Sequence, residues 1–133
     1  MPLVIFGPPR TKKNSGRIVR AGKRLRLLPS AAQVSWAKSA MLQLRAQWRS
    51  AAITKPVSVR AMFFRERNVG DLVNFMQAVA DALEHAGVVV NDRLIVSWDG
   101  SRLSKDAVRP RVELEVELFN EAARPSTTAA RSS

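Results

Sequence analysis

The chain has 133 residues, of which 46% are hydrophobic, 22 are basic and 11 are acidic. This length suits one domain with a buried core, and the apolar fraction excludes a wholly disordered chain. The absence of cysteine excludes disulfides, zinc–thiolate sites and cysteine nucleophiles, and no apolar run approaches the roughly 18 residues that span a membrane. The first residues lack the charged segment that opens a signal peptide, so we expect a cytoplasmic protein.

The net charge of +11 is distributed unevenly along the chain. No Asp or Glu precedes Glu66, and residues 1–65 carry 14 Lys or Arg, whereas residues 66–133 carry 8 basic and 11 acidic side chains. Such an excess of positive charge attracts a polyanion, because neutralising phosphates releases counterions. The charge therefore favours nucleic acid as the partner. An arginine-rich composition inherited from a GC-rich genome, binding to RNA and adhesion to anionic lipid are the alternatives.

The first half of the chain is predicted to contain one strand and one helix. The apolar residues 3–6 read as a short strand, which Gly7-Pro8-Pro9 ends. Residues 10–26 form a basic loop or hairpin, in which 8 of the 17 residues are Lys or Arg. Apolar residues at spacings of three and four predict a helix over residues 31–49, whose apolar face contains Val34, Ala37, Met41, Leu44 and Trp48. Trp36 lies off this face.

The second half is predicted to contain a second helix and three more strands. The helix runs over residues 72–86, and Gly87 ends it. The strands cover residues 57–64, 94–98 and 111–119, and the last of these alternates apolar and acidic residues cleanly. Residues 120–133 are rich in Ala, Ser, Thr and Arg and are predicted to be a disordered tail.

The order of these elements is β-α-β-α-β-β, which predicts a small single-domain α/β fold over residues 1–119. In such a fold a mixed sheet buries one face against the two helices. The basic residues 10–26 and the tail lie outside the predicted core.

Two acidic residues stand at positions where a carboxylate can either stabilise local structure or bind a metal. Asp71 stands at the start of the second helix, where it is either the N-cap or a metal ligand. Asp92 lies in the turn before a strand, where it is either a turn residue or a second ligand. We expect the connecting helix to bring both to one end of the sheet. Two carboxylates facing a basic surface suit Mg²⁺, which can polarise a phosphodiester and activate water.

The remaining polar positions have ordinary structural explanations. Asp81 shares a solvated or interface helix face with Gln77 and Glu84. Asp99 and Asp106 belong to turns, and His85 to a helix C-terminus. The spacings typical of P-loops, zincins and serine hydrolases are absent from the sequence. The basic segment contains few aromatic residues, which favours recognition of phosphates and shape over stacking on bases.

Several short stretches together resemble the RusA family of Holliday-junction resolvases. They are GPPRTKKNS, PSAAQVSW, DLVN, DALEHAG, NDRLIV and PRVELEV, and they extend over residues 3–118. These resolvases are small dimeric endodeoxyribonucleases of bacteria and phages that act in recombination and repair. The resemblance implies a RusA-like fold and Mg²⁺-dependent cleavage of four-way DNA junctions by a symmetric homodimer, with Mn²⁺ as a possible substitute.

The resemblance also assigns residues, with departures. Asp71 and Asp92 fall on family aspartates and would hold the metal as the catalytic residues, and Asn74 falls on the family asparagine. Val73 replaces the second family aspartate, Gln77 replaces a lysine, and Asn91 replaces the first acid of an Asp-Asp pair. The chain is therefore an active nuclease with a rearranged site, or a catalytically impaired protein that binds branched double-stranded DNA without cutting it.

Contacts to DNA phosphates are predicted for the basic segment and for the loop before the second helix. The residues concerned are Arg10, Lys12, Lys13, Arg17, Arg20, Lys23, Arg24, Arg65 and Arg67. Binding that depends on these side chains should weaken steeply with salt.

Overall fold

The computed structural model describes residues 1–11, 17–21, 24–28 and 31–120, and for residues 17–21 and 24–28 it describes the backbone alone. The elements, in chain order, are β1 (Pro2–Phe6), β2 (Arg17–Ala21), β3 (Arg24–Leu28), α1 (Ala31–Gln47), β4 (Val57–Arg65), α2 (Leu72–His85), a 3₁₀ helix (Asp92–Leu94), β5 (Ile95–Ser97), β6 (Arg102–Lys105) and β7 (Arg111–Leu118). The predicted α/β fold with two helices and a mixed sheet is confirmed. The predicted tail from residue 121 onward lies outside the described residues.

Five strands form the mixed sheet, in which β1, β7 and β4 are antiparallel neighbours. The other side of β4 carries two short parallel strands. β5 pairs with its beginning, where Val57 lies opposite Ile95, and β6 pairs with its end, where Arg65 lies opposite Lys105. Strand β6 was not predicted, because three of its four residues, RLSK, are polar and the strand is too short to show a period. Pairing with β4 supplies the order that the local sequence lacks.

One face of this sheet carries the core, and both helices contribute to it. Alternate residues of β4 and β7 are fully or almost fully buried, among them Val59, Phe63 and Val116. Helix α2 adds Phe75, whose ring stacks on Phe63 with centroids 5.4 Å apart. The glutamates of β7 point to the opposite face, as the alternation of RVELEVELF predicts.

The basic segment contains a hairpin, which is one of the two forms predicted for it. Strands β2 and β3 pair antiparallel, with Arg17 opposite Leu28 and Ala21 opposite Arg24. This pairing continues two residues beyond the predicted boundary at residue 26. The hairpin forms a sheet of its own, separate from the five-stranded sheet.

The predicted apolar face of α1 is confirmed in part, because Leu44 is buried and Ala37, Met41 and Trp48 pack against the core. Val34 is 54% exposed, whereas Trp36, which lies off the predicted stripe, is only 6% exposed. The residues that α1 buries are Gln33, Trp36, Ala40 and Leu44. An indole removes far more apolar surface from water than an isopropyl group does, so packing favours the rotation that buries Trp36. The helix also ends at Gln47, two residues before the predicted end.

The free edge of β1 is covered by two glutamines of α1. The side-chain amide of Gln43 accepts from the N–H of Phe6 at 2.8 Å and donates to its carbonyl at 3.0 Å. Gln47 makes the same pair of hydrogen bonds with Val4, at 2.9 and 2.7 Å. Edge strands with unpaired backbone groups invite pairing with other chains. The two amides therefore occupy the hydrogen-bonding positions of an additional strand.

Replacing Gln43 and Gln47 together with alanine should destabilise the protein and expose this edge. Four hydrogen bonds to β1 are lost, although water partly replaces them, so we expect a loss of about 1–3 kcal/mol in the free energy of unfolding. We also expect concentration-dependent self-association beyond the wild-type state, measurable by analytical ultracentrifugation. Lys38→Ala, on the exposed side of α1, is the control. Unchanged stability and association in the double variant would contradict this role.

Asp106 organises the turn between β6 and β7. Its Oδ1 accepts the backbone N–H groups of Val108 and Arg109, and its Oδ2 accepts from Arg111 at 2.9 Å. The guanidinium of Arg111 lies 4.0 Å above the ring of Phe64. The hydrogen bond from the Arg109 amide, followed by that from Arg111, lowers the pKa of Asp106 below its usual value. The predicted turn role of Asp106 thus agrees with the structure.

Acid should remove the stability that Asp106 contributes. Because the pKa is lower in the folded chain, the charged carboxylate stabilises the fold above the unfolded pKa, and the effect disappears as pH falls through the folded value. We expect Asp106→Asn to lower the melting temperature at pH 7, and the difference from wild type to shrink steadily below about pH 4. Thermal unfolding followed by circular dichroism measures both, with Asp99→Asn as the control. A difference independent of pH would contradict the argument.

Candidate active site

Asp71 stands at the N-cap position of α2, on an exposed loop. Its backbone is extended, and its carboxylate makes no capping hydrogen bond to the first turn. Instead, the side-chain amide of Asn74 donates to both carboxylate oxygens, at 3.2 and 3.1 Å. Each oxygen keeps acceptor capacity, since a carboxylate offers about four lone-pair directions. Asp71 thus occupies the predicted cap position while leaving its charge available to a ligand.

The two residues of α2 that depart from the RusA pattern both face solvent. Val73 is 68% exposed, and Gln77 is exposed as well. The amide of Gln77 donates to Asp81 one turn later, at 3.0 Å. Neither side chain is required by the core, so the fold does not dictate the departures.

Asp92 opens the 3₁₀ helix after α2 and is half-buried. The side chain of Asn91 caps this turn by accepting the N–H of Arg93 at 2.8 Å. The backbone N–H of Asp92 itself donates to Glu84 Oε1 at 2.9 Å. Two acidic residues, Glu84 and Asp92, therefore lie side by side near the C-terminal end of α2.

The expectation that Asp71 and Asp92 share one end of the sheet is wrong within a single chain. β4 and β5 are parallel, but β5 pairs with the beginning of β4, whereas Asp71 follows the loop after its end. Asp92 lies against Glu84 in the last turn of α2, and the helix rises about 20 Å between Asp71 and Glu84. One cation cannot contact both carboxylates of the same chain, since its oxygen ligands lie about 2 Å away.

Other acidic side chains do not complete a metal site around either aspartate in the described part of the chain. Within the ranges that the structure describes, no group of three or more His, Asp or Glu side chains is arranged to hold a metal ion. Any cation bound by Asp71 and Asp92 therefore has to take them from two chains.

A cleft of about 300 Å³ opens beside Asp71. Its residues come from the N-terminal segment, the first turn of α1, the loop after β4 and α2; they are Pro9, Arg10, Thr11, Ala32, Arg65, Glu66, Arg67, Val69, Gly70 and Phe75. Arg10 forms an ion pair with Glu66 at 2.7 Å. Arg65 donates to the carbonyl of Gly70 at 3.0 Å, which holds the loop that leads to Asp71.

Gly70 shapes the approach to the helix. Its φ of +95° is a conformation that residues with a Cβ rarely adopt, and a Cβ at this position would lie 2.4 Å from the ring of Phe75. Glycine is thus required both for the turn and for the close approach of the chain to the core.

Of the nine basic residues predicted to contact DNA, three line this cleft: Arg10, Arg65 and Arg67. Lys12, Lys13 and Lys23 lie outside the described residues. Arg17, Arg20 and Arg24 lie on the hairpin strands, which are described by backbone alone. The structure therefore groups part of the predicted set next to Asp71, and the contribution of the others stays a prediction.

Sequence reasoning missed two features of this region. It assigned Glu84 to a solvated or interface helix face, although Glu84 accepts the backbone N–H of Asp92. It also treated Arg10 and Arg65 as belonging to separate loops, although both line one cleft. Neither proximity leaves a periodic signal in the sequence, because each depends on how distant segments pack.

The comparison with protein-family models identifies the class of protein. The model of the endodeoxyribonuclease RusA matches residues 7–117. The chain therefore belongs to the RusA endodeoxyribonuclease family, whose function is the resolution of Holliday junctions and whose members generally depend on a divalent metal. No curated protein matches the chain. Among the described helices, neither is long and apolar enough to cross a membrane.

Proposed function

We propose that this protein is a Mg²⁺-dependent endonuclease that nicks four-way DNA junctions and acts as a homodimer. The observation that carries the proposal is the position of Asp71. It presents an exposed carboxylate, oriented by Asn74, immediately beside a cleft lined by three arginines. Arginines can hold the phosphates of the substrate while a carboxylate binds a cation at the same strand.

The dimer follows from the separation of the two aspartates. Asp71 and Asp92 lie at opposite ends of α2, so two antiparallel copies of this helix would place Asp71 of one chain near Asp92 of the other. A two-fold axis would generate two such sites, as an isologous interface requires. The face available for this contact includes Val73 and Gln77, which are exposed in the single chain.

The arrangement assigns separate tasks to the residues at each end of the helix. Asp71, held by Asn74, would bind the cation from one chain, and Asp92, held against Glu84, would bind it from the other. The arginines of the cleft would fix the phosphodiester next to them. The chemistry that Mg²⁺ supplies in such sites is neutralisation of charge and activation of water.

Glu84 can provide the negative charge that Val73 does not. Its Oε1 is engaged by the amide of Asp92, and the charge of the carboxylate lies beside the proposed ligand. Glu84→Gln retains an oxygen acceptor for this amide but removes the charge. We expect it to weaken Mg²⁺ binding about tenfold or more, measured by isothermal titration of the dimer with Mg²⁺. Glu117→Gln, which removes an exposed charge from β7, is the matched control, and equal affinity in Glu84→Gln and wild type would exclude the charge role.

The function is tested with a labelled four-way junction and a linear duplex of the same sequence. With Mg²⁺ or Mn²⁺ we expect nicks in the junction and none in the duplex, and with EDTA we expect binding without nicks. A preference for the junction that disappears at high salt would agree with phosphate contacts. No cleavage with either metal would contradict the proposed nuclease activity.

The second candidate is a RusA-like protein that binds branched DNA without cutting it. The observation that favours it is the exposed, apolar Val73, since a valine cannot bind a cation and this position is aspartate in the family pattern. This candidate predicts tight junction binding in the same assay and no metal-dependent product. Binding of RNA or lipid with no preference for junctions would contradict both candidates.

A further inference from the structure

The cleft beside Asp71 is deeper than a surface that only contacts phosphates needs to be. It is a concave space of about 300 Å³, and its lining includes Gly70, the residue that precedes Asp71. This volume lies at the lower end of the range for small-molecule pockets. A base pair within a stacked duplex is too large and too constrained to enter it, whereas one unpaired nucleotide is of suitable size.

The positively charged side chains of the cleft outnumber the negatively charged ones, which favours an anionic ligand. Arg10 and Glu66 neutralise each other through their ion pair. Arg65 donates to a backbone carbonyl, and within the part of the chain that the structure describes no carboxylate pairs with Arg65 or Arg67. Two positive charges therefore remain for an anion such as a phosphate.

Arg65 also carries an unused donor. Its Nε is buried, and among the described residues it has no hydrogen-bond acceptor. Buried donors are nearly always satisfied in folded proteins, by the chain, by water or by a ligand. Arg65 lines the cleft, so a turn of its guanidinium toward the cleft would let a phosphate oxygen satisfy this donor, and a guanidinium suits phosphate particularly well.

The other walls of the cleft are apolar. Pro9, Ala32, Val69 and Phe75 line it together with the arginines. A nucleobase has apolar faces and a polar edge, so it fits a space with apolar walls and a few charged groups. Such a mixture is typical of sites that receive a base taken out of its stack.

We propose that this cleft receives one nucleotide displaced from the stack at the branch point, with its phosphate on Arg65 and Arg67. The proposal rests on the proposed function and adds the means by which branched DNA is selected. Extruding a nucleotide costs least where pairing and stacking are already broken. A junction therefore fills the cleft more readily than a linear duplex does.

The test uses a four-way junction with 2-aminopurine at the branch point, titrated with protein in EDTA so that no cutting occurs. Unstacking of this base increases its fluorescence, and we expect a several-fold rise with wild-type protein. Ala32→Phe fills the cleft, and Ala31→Phe is the matched control, since Ala31 is exposed in the same turn without lining the cleft. We expect Ala31→Phe to retain the rise and Ala32→Phe to lose it, together with at least a tenfold loss of preference for the junction over duplex.

A second pair of variants tests the same proposal in case Ala32→Phe fails to fold. Arg65→Gln removes the phosphate contact within the cleft, and Arg102→Gln removes an exposed arginine on β6. We expect the fluorescence rise to diminish only in Arg65→Gln. A rise that survives both Ala32→Phe and Arg65→Gln, or wild-type binding to the junction without any rise, would overturn the cleft proposal.

The outcome separates this proposal from the proposed function. Cutting of the junction in Mg²⁺ without a fluorescence rise would leave the nuclease intact and remove the nucleotide cleft. A rise in EDTA without cutting in Mg²⁺ would support the cleft in a protein that only binds. Failure to bind junctions at all would overturn both.

Discussion

Mixing Asp71→Asn protein with Asp92→Asn protein should restore nicking of four-way junctions that neither variant performs alone. Each variant by itself forms dimers in which both sites lack one carboxylate. Losing a ligand removes several kcal/mol of charge stabilisation, so we expect each to be slowed at least about a hundredfold. A heterodimer has one site with both aspartates and one site with neither. If subunits exchange freely, about a quarter of the wild-type number of sites should be restored.

The measurement is single-strand nicking of an end-labelled junction after the two proteins are unfolded, mixed and refolded together. Native mass spectrometry with a tag on one variant confirms that heterodimers form. Asp71→Asn mixed with Asp99→Asn is the control, because the Asp99 substitution should leave the cleaving site intact. Heterodimers without recovered nicking would show that the two aspartates do not meet across the interface. Full activity of Asp71→Asn alone would remove Asp71 from the site.

Replacing Val73 with aspartate should strengthen the site. Val73 is 68% exposed in the first turn of α2, so an aspartate costs little to accommodate and interacts favourably with the positive end of the helix dipole. An additional carboxylate two residues from Asp71 adds a candidate oxygen ligand and a negative charge. We expect half-maximal nicking at a Mg²⁺ concentration lower by about tenfold or more, because ligand charge raises affinity for hard cations.

The control for this substitution is Val108→Asp. Val108 is 87% exposed in the turn between β6 and β7, so it adds the same charge outside α2. Metal dependence measured by nicking, and binding measured by titration calorimetry, should change only in Val73→Asp. A similar shift in both variants would indicate a general effect of net charge. No shift in either would mean that the first turn of α2 does not face the metal.

The periodicity of the sequence predicts which side chains of a strand are buried better than it predicts those of a helix. RVELEVELF predicted the alternation of β7 up to Glu117, because a residue period of two fixes which side of a sheet each side chain faces, whereas Leu118, predicted to face inward, is 54% exposed at the end of the strand. The helix α1 shows where periodicity fails. Its apolar residues admit more than one rotation, and the choice depends on Trp36 and on the two glutamines that reach β1, which are features of packing.

The candidate site also has features that the sequence predicts and features that depend on packing. The short stretch around Asp71 was enough to predict a helix entry and to indicate the family, because caps and short motifs are local properties of the chain. The distance between Asp71 and Asp92 is not local. It depends on whether β5 pairs with the beginning or the end of β4, and the sequence of neither strand carries that register.

By itself, the sequence determined the basic character of this protein, its two-helix α/β class and its membership of the RusA family. Charge, periodicity and short motifs depend only on which residues are neighbours in the chain. Only the tertiary structure decided that Asp71 and Asp92 lie at opposite ends of one helix, that Glu84 supports Asp92, and that Arg10, Arg65 and Arg67 line one cleft. The physical reason is that strand pairing and burial act between residues distant in the chain. A helix keeps its two ends apart by its length, whatever chemistry those ends share.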